Sequence, residues 1–323
     1  MVSRGRDELV ATLTRLDGAG YPAYRDLRGA WAFDAFTLVV DHVQADPFAA
    51  PSRLRVLLPP DTAEFPPPLL ASAARRTGVA AHVARAFAAQ ARRVASGGGS
   101  GRSGAVDMEA PGQEVLPQTA VLLAADGQLE ARFTVGLPAR GRRVLGREAA
   151  TLLAEQLPLL VERCLRAAAH DAAALTMAAE TNEDAQALRA ELPGLELVAF
   201  VADGALLPRR SGVDDRPLEG PSVVPFRSPD SLRTTVRLPN RGPTSGMGVP
   251  RGVTLVVGGG FHGKSTLLRA LERGVYDHRP GDGRELVVSV ASAVKVRAED
   301  GRSVRGVDIS PFIDHLPLGV DTR

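Results

Sequence analysis

Several residue types that announce particular chemistries are scarce in this chain. Its one cysteine, Cys164, cannot form an intramolecular disulfide and leaves the usual cysteine-based zinc patterns without ligands, so a reducing compartment is expected. Aromatic residues are 4% of the chain, too few for a stacking array that would grip unpaired bases. No apolar run approaches 18 residues, and Met1-Val2-Ser3-Arg4-Gly5-Arg6-Asp7-Glu8 has no apolar segment behind its positive charges. Neither a membrane span nor a secretory leader is read, and a cytoplasmic protein without a membrane partner is expected. Charge of one sign is lacking too: 39 basic residues against 37 acidic give a net +2, without the field that marks a nucleic-acid binder. Lysine is scarcest among the basic residues. Only Lys264 and Lys295 are lysines, so either one carries information by being there.

What remains is the composition of a folded globular protein. The 323 residues are 44% hydrophobic and 24% charged, which allows about two domains and a sizeable core. Leu9, Val10, Leu13 and Leu16 recur at helical spacing and predict a helix from Arg6 to Leu16 that ends at Asp17-Gly18. Phe33 to Val40 and Arg53 to Leu58 have strand composition. Pro66 to Ala95 is alanine-rich and predicts two helices broken near Gly78. The glycine cluster that follows, residues 97–104, is a loop with two readings: a flexible connector, or a phosphate-binding nest helped by Arg102. Two strands around Ala125-Asp126-Gly127 form a predicted hairpin, Arg147 to Ala169 is helical with an interruption at Pro158, and Glu183 to Glu191 is helical. Leu197 to Ala202, Leu232 to Leu238 and Glu285 to Val290 are strand-like. Asn240 to Arg251 reads as connecting loop, which divides a mixed α+β domain at 1–245 from a P-loop domain at 246–323. The fold class is α/β.

The strongest signal is Val253-Thr254-Leu255-Val256-Val257, read as a buried strand, running into Gly258, Gly259, Gly260, Phe261, His262, Gly263, Lys264, Ser265 and Thr266, then into Leu267-Leu268-Arg269-Ala270-Leu271-Glu272. This is strand, G-x-x-x-x-G-K-[ST], helix: the Walker A arrangement. Composition predicts roughly 0.002 chance matches to the pattern in a chain of this length. Glycines let backbone N–H groups curve around phosphates, and the helix start offers further unpaired N–H groups to the same anion. Lys264 would reach the β and γ phosphates of ATP, and the Ser265 hydroxyl would ligate Mg²⁺.

Hydrolysis requires in addition an acid at the end of another strand. Asp41 and Asp203 each follow an apolar run, but each also fits an ordinary strand ending in a turn. Downstream, Val307-Asp308 and Val320-Asp321 lack a preceding apolar run. His262 and Phe261 occupy variable loop positions that shape backbone and pack. The six histidines hold no H-x-x-x-H pair. Lys295 fits the exposed face of an edge strand. The pairs Arg75-Arg76, Arg92-Arg93, Arg142-Arg143 and Arg209-Arg210 fit either a solvated face or a basic groove. Two rival functions follow: a nucleic-acid module regulated by nucleotide, and a P-loop kinase of small molecules.

Longer strings add a resemblance. Asp41-His42-Val43-Gln44-Ala45-Asp46-Pro47-Phe48, Gly112-Gln113-Glu114-Val115-Leu116, Val135-Gly136-Leu137-Pro138, Leu207-Pro208-Arg209, Gly246-Met247-Gly248-Val249-Pro250, Gly274-Val275-Tyr276-Asp277-His278 and Pro280-Gly281-Asp282-Gly283-Arg284-Glu285 resemble the predicted ATPases of the ABC class, a non-transporter family with an amino-terminal domain fused to one ABC-type ATPase domain. The resemblance implies ATP and Mg²⁺ as ligands at Gly258 to Thr266, and a homodimer in the full-length form, where the signature of one protomer caps the ATP of the other. In the family a Ser-Gly-Ser-Thr-Ser-Gln-type signature and an acidic Asp-Glu-Asp segment follow the stretch that here ends at Asp321-Thr322-Arg323. Neither stands in this sequence. Nucleotide binding rather than turnover is the expectation for these residues, with the amino-terminal domain coupling nucleotide state to a partner.

Overall fold

In Ser52–Leu58 and Leu129–Val135 every second residue is buried, and the antiparallel register sets Leu54 against Phe133 and Val56 against Ala131, so one face of the pair is apolar throughout. The computed structural model describes residues 4–94, 99–221, 223–260, 262–296, 305–306 and 308. Around that pair a seven-stranded sheet is built in the order Arg4–Gly5, Gly29–Ala32, Thr37–His42, Ser52–Leu58, Leu129–Val135, with Val106–Asp107 and Val121–Leu123 also pairing with Leu129–Val135. The first pairing is parallel and the rest antiparallel, so the sheet is mixed; it is also open. The run expected as one strand from Phe33 is interrupted, because Phe33 and Phe36 stack at 4.5 Å and close a turn with a Phe33 N–H to Phe36 carbonyl bond of 2.9 Å.

The helix Arg6–Arg15 buries Leu9 and Leu13 as its spacing predicts. From Pro66 onward the chain forms a short helical turn at Pro67–Leu70 and then one unbroken helix, Ala73–Val94, instead of two helices broken near Gly78. Gly78 serves an approach between helices: a Cβ there would sit 2.2 Å from the Ala178 carbonyl oxygen in the helix Ala172–Glu191. Pro158 does mark an interruption. A π-helical turn, Thr151–Gln156, precedes the helix Leu157–Cys164, whose second residue is the proline that has no N–H to donate.

A second sheet, wholly antiparallel, has the order Arg233–Leu238, Gly242–Pro250, Leu197–Ala202, Val287–Ser289. The stretch expected as connecting loop between Asn240 and Arg251 is therefore mostly strand. Its prolines and glycines are tolerated because Gly246 and Gly248 lie against Phe200 and Leu197, leaving no room for side chains there. Neighbouring residues of this sheet point to opposite sides. Phe200, Val236, Leu238 and Val288 pack with Ala185 and Leu188 of the helix Ala172–Glu191 and with Leu192 just after it, while Val201, Met247 and Val287 pack with Ala270 of the helix Lys264–Arg273. The sheet is thus covered by a structural helix on one face and by the helix that follows the glycine loop on the other. The chain divides into two units, Met1–Ser292 and Ala293–Arg323. In the second, the described residues form no helix or strand, and Lys295 is exposed outside any strand.

Candidate functional site

The run Val253 to Val257, expected as a buried strand, has no strand partner among the described residues, and Val253, Leu255 and Val257 are 73%, 80% and 82% exposed. Apolar composition marks a strand suited to burial, but burial needs a neighbour on each side, and among the described residues none lies alongside. Two of the glycines after it adopt backbone conformations open mainly to glycine. Gly258 and Gly263 have φ of 147° and 81°, values that a side chain disfavours. Phe261 lies outside the described residues. The His262 ring lies against Gly259, where a Cβ would come within 3.2 Å of it. Lys264 turns its amine back over the loop and donates to the carbonyls of Gly258 and Gly259.

Gly263 is the N-cap of the helix Lys264–Arg273, and no side chain caps it. The first ladder bond runs from the Leu267 N–H to the Gly263 carbonyl at 2.9 Å, so the amides of Lys264, Ser265 and Thr266 have no acceptor within the helix. No acidic residue stands in that first turn, and Ser265 is exposed there. A glycine-entered, uncapped helix start beside a lysine amine can receive an anion. The residues present therefore fit a phosphate.

At its other end the helix is held firmly. The Gly274 carbonyl accepts from the Arg189 guanidinium at 2.8 Å and from the Ser289 N–H at 2.8 Å, and Arg189 also pairs with the buried Asp277 at 2.6 Å. A second buried group lies nearby in sequence. Asp282, fully buried, pairs with Arg209 at 2.6 Å and with His278 at 2.9 Å, and Arg284 donates to the Leu207 carbonyl. Burial, followed by the neighbouring Arg209 charge, lowers the Arg284 pKa to about 10, which still leaves it charged at neutral pH. The segments 112–115 and 277–279 also meet: Asp277 and His278 pair with Val115 and Glu114, and the Arg279 N–H donates to the Gln113 carbonyl. Strings far apart in sequence thus converge on one place.

The other candidates serve the fold. Asp41 pairs with Arg55 in the amino-terminal sheet at 3.1 Å. Asp203 accepts from the Ser228 N–H and hydroxyl, which fastens a loop. Of the arginine pairs, Arg75 is held by Glu183 and Asn240, Arg76 by the Leu70 carbonyl, Arg142 by Asp46, Arg209 by Asp282 and Arg210 by Glu219. These five side chains are each held by a partner on the fold. In the first glycine cluster, residues 97–98 lie outside the described residues. From Gly99 onward the loop is docked: the Ser100 N–H donates to the Ala139 carbonyl at 2.9 Å, the Gly104 N–H to the Gly136 carbonyl at 2.7 Å, and the Ser100 and Ser103 hydroxyls accept from the Gly141 and Ala139 N–H groups. From Gly99 onward this part is thus bonded to the rest of the fold, with the Ser100 and Gly104 amides spent on backbone carbonyls. Sequence reasoning did not single out Arg189, Asp277, His278, Asp282 or Arg284 for a role; the last four carried one signal, membership of the strings Gly274 to His278 and Pro280 to Glu285, and Arg189 carried none.

Comparison with known proteins adds identity to this geometry. Residues 6–168 match the family described as the amino-terminal part of ATPases of the ABC class, and residues 171–323 match the P-loop domain of the ABC ATPases. The uncharacterized protein MJ1628 of Methanocaldococcus jannaschii is 33% identical over 140 residues, which cover 41% of this chain and 31% of that protein. The match thus spans about a third of that relative's length. Among the described residues, no helix is long and apolar enough to cross a membrane. The amino-terminal match alone spans half of the chain, and with the P-loop match beside it the chain belongs to the ATPases of the ABC class.

Proposed function

We propose that Gly258 to Thr266 act as a Walker A loop that binds the triphosphate of ATP together with Mg²⁺. The observation that carries this reading is the uncapped start of the helix Lys264–Arg273, entered through a left-handed glycine and overhung by the Lys264 amine. The loop and first-turn amides would bond to phosphate oxygens, Lys264 would leave its carbonyl acceptors for the β and γ phosphates, and the Ser265 hydroxyl would ligate the metal. When bound, Mg²⁺ would supply neutralisation of the phosphate charge. Hydrolysis, dimerisation and the coupling of nucleotide state to a partner by the amino-terminal domain are proposed of the whole family protein.

Titration of Mg-ATP into the wild-type chain and Lys264→Ala tests the reading. Affinity is expected to fall at least about ten-fold, the loss of roughly one charged hydrogen bond. Thermal unfolding is expected to stay the same, because among the described residues Lys264 bonds only to its own loop. Equal affinity in the two proteins would overturn it.

A further inference from the structure

Away from the glycine loop, a cleft of about 460 Å³ opens where three segments meet, within the range that small-molecule ligands occupy. The helix Ala73–Val94 contributes Gly78, His82, Arg85 and Ala86, which the helical repeat sets on one face. Ala174, Met177 and Ala178 come from the helix Ala172–Glu191. Val115, Arg279 and Pro280 come from the pairing of Glu114–Val115 with Asp277–His278 and the residues just after it. Small and apolar side chains thus make up most of the wall.

The polar groups are few and mostly of one sign. The Arg85 guanidinium donates only to main-chain carbonyls, those of Ala81, Pro111, Gly112 and Glu114, and among the described residues it makes no ion pair. Burial first and the Arg279 charge second push its pKa down to about 10, against the pull of Glu114 and Asp282, so it stays charged at neutral pH. Arg279 is exposed, and among the described residues its side chain has neither a hydrogen bond nor an ion pair. Burial, then His170, Arg85 and Arg279, push the His82 pKa down to about 4, which leaves that imidazole neutral. The one carboxylate in the lining is Asp171, which caps the helix Ala172–Glu191 by accepting from the Ala173 N–H at 3.1 Å.

We infer that this cleft binds a small organic monoanion, a carboxylate on an apolar body, with the carboxylate held by Arg279 and Arg85. Two guanidinium charges against one carboxylate leave a single positive charge in the lining. One carboxylate neutralises it; a phosphate dianion would exceed it. The planar fork of Arg279 matches the two oxygens of a carboxylate, and a neutral His82 offers a ring N–H to the same group. The alanines, Val115 and Met177 give the apolar body a surface to leave water against.

The test titrates cinnamate, neutral cinnamamide and cinnamyl phosphate into the full chain at neutral pH by calorimetry, with the His82 imidazole signals in NMR spectra reporting where they bind. Cinnamate is expected to bind at least about ten-fold more tightly than cinnamamide, the worth of a charged hydrogen bond, and more tightly than the phosphate, and to shift the His82 signals. Arg279→Ala is expected to unfold thermally as wild type does, to lose at least about five-fold in cinnamate affinity and to bind cinnamamide as before. Ala174→Leu, which fills the cleft, is expected to weaken both. No binding of cinnamate at millimolar concentration, equal binding of acid and amide, tighter binding of the phosphate, His82 signals that stay in place, or unchanged cinnamate affinity in either variant would overturn the inference. None of these measurements involves a nucleotide, so their failure would leave the Walker A reading as it stands.

Discussion

Two glycine-rich loops, residues 99–104 and 258–263, look alike in sequence and differ in what their backbone does. In the first, N–H groups of Ser100 and Gly104 are bonded to the Ala139 and Gly136 carbonyls, and its serine hydroxyls clasp the same neighbouring segment. Side chains are excluded by contact: a Cβ on Gly101 would lie 2.2 Å from the Pro47 carbonyl oxygen. Around the second loop the space is open, since a Cβ on Gly260 or Gly263 would meet nothing within 4 Å, and the amides that follow enter a helix with no cap. Glycine in the first permits close packing; in the second it permits backbone curvature. The fate of the amides, more than the number of glycines, separates a packed loop from an anion site.

That contrast can be attacked from both sides. Gly136→Ala would drive a Cβ to within 2 Å of the Arg102 carbonyl, since the closest approach is 1.9 Å. Overpacking of backbone on backbone is expected to destabilise the chain by roughly 2–4 kcal/mol, read as a lower urea midpoint, with Mg-ATP affinity of the folded protein unchanged. Gly263→Val acts in the opposite manner. The left-handed φ of 81° disfavours valine by roughly 1–2 kcal/mol, while ATP affinity is expected to fall more than ten-fold as the loop leaves its curvature; retained affinity would erase the distinction drawn above. The smallest effect belongs to Arg102→Ala. Arg102 is exposed on the docked loop, so stability is expected to move by less than about 0.5 kcal/mol and binding of Mg-ATP or tripolyphosphate not at all. A measurable loss would mean that the first loop holds phosphate after all.

The sequence was most readable where structure is set by near neighbours. The hairpin at Gly127, with its φ of 92°, and the helix Lys264–Arg273 entered through Gly263 follow from local spacing and turn chemistry. It was least readable where distant segments decide. Gly78 reads as a helix breaker until Ala178 lies against it. The apolar run at 253–257 reads as buried, yet burial depends on strands that composition cannot locate. Arg209 and Asp282 are 73 residues apart, and Arg189 and Asp277 are 88 apart, so no motif spacing could have paired them. The family strings at 274–278 and 280–285 pointed to the right region without giving its physical reason, which is a set of buried charges held by ion pairs with Arg189 and Arg209.

The clasp at Gly274 has a mechanical meaning. A helix of 10 residues fixed at its C-terminal end is a lever about 15 Å long with its free tip at the glycine loop. A tilt of about 10° about that pivot would carry the tip by roughly 2.6 Å, the length of a hydrogen bond. On the reading of the glycine loop as a phosphate cradle, small rotations near Arg189 and Ser289 would become larger displacements at Lys264.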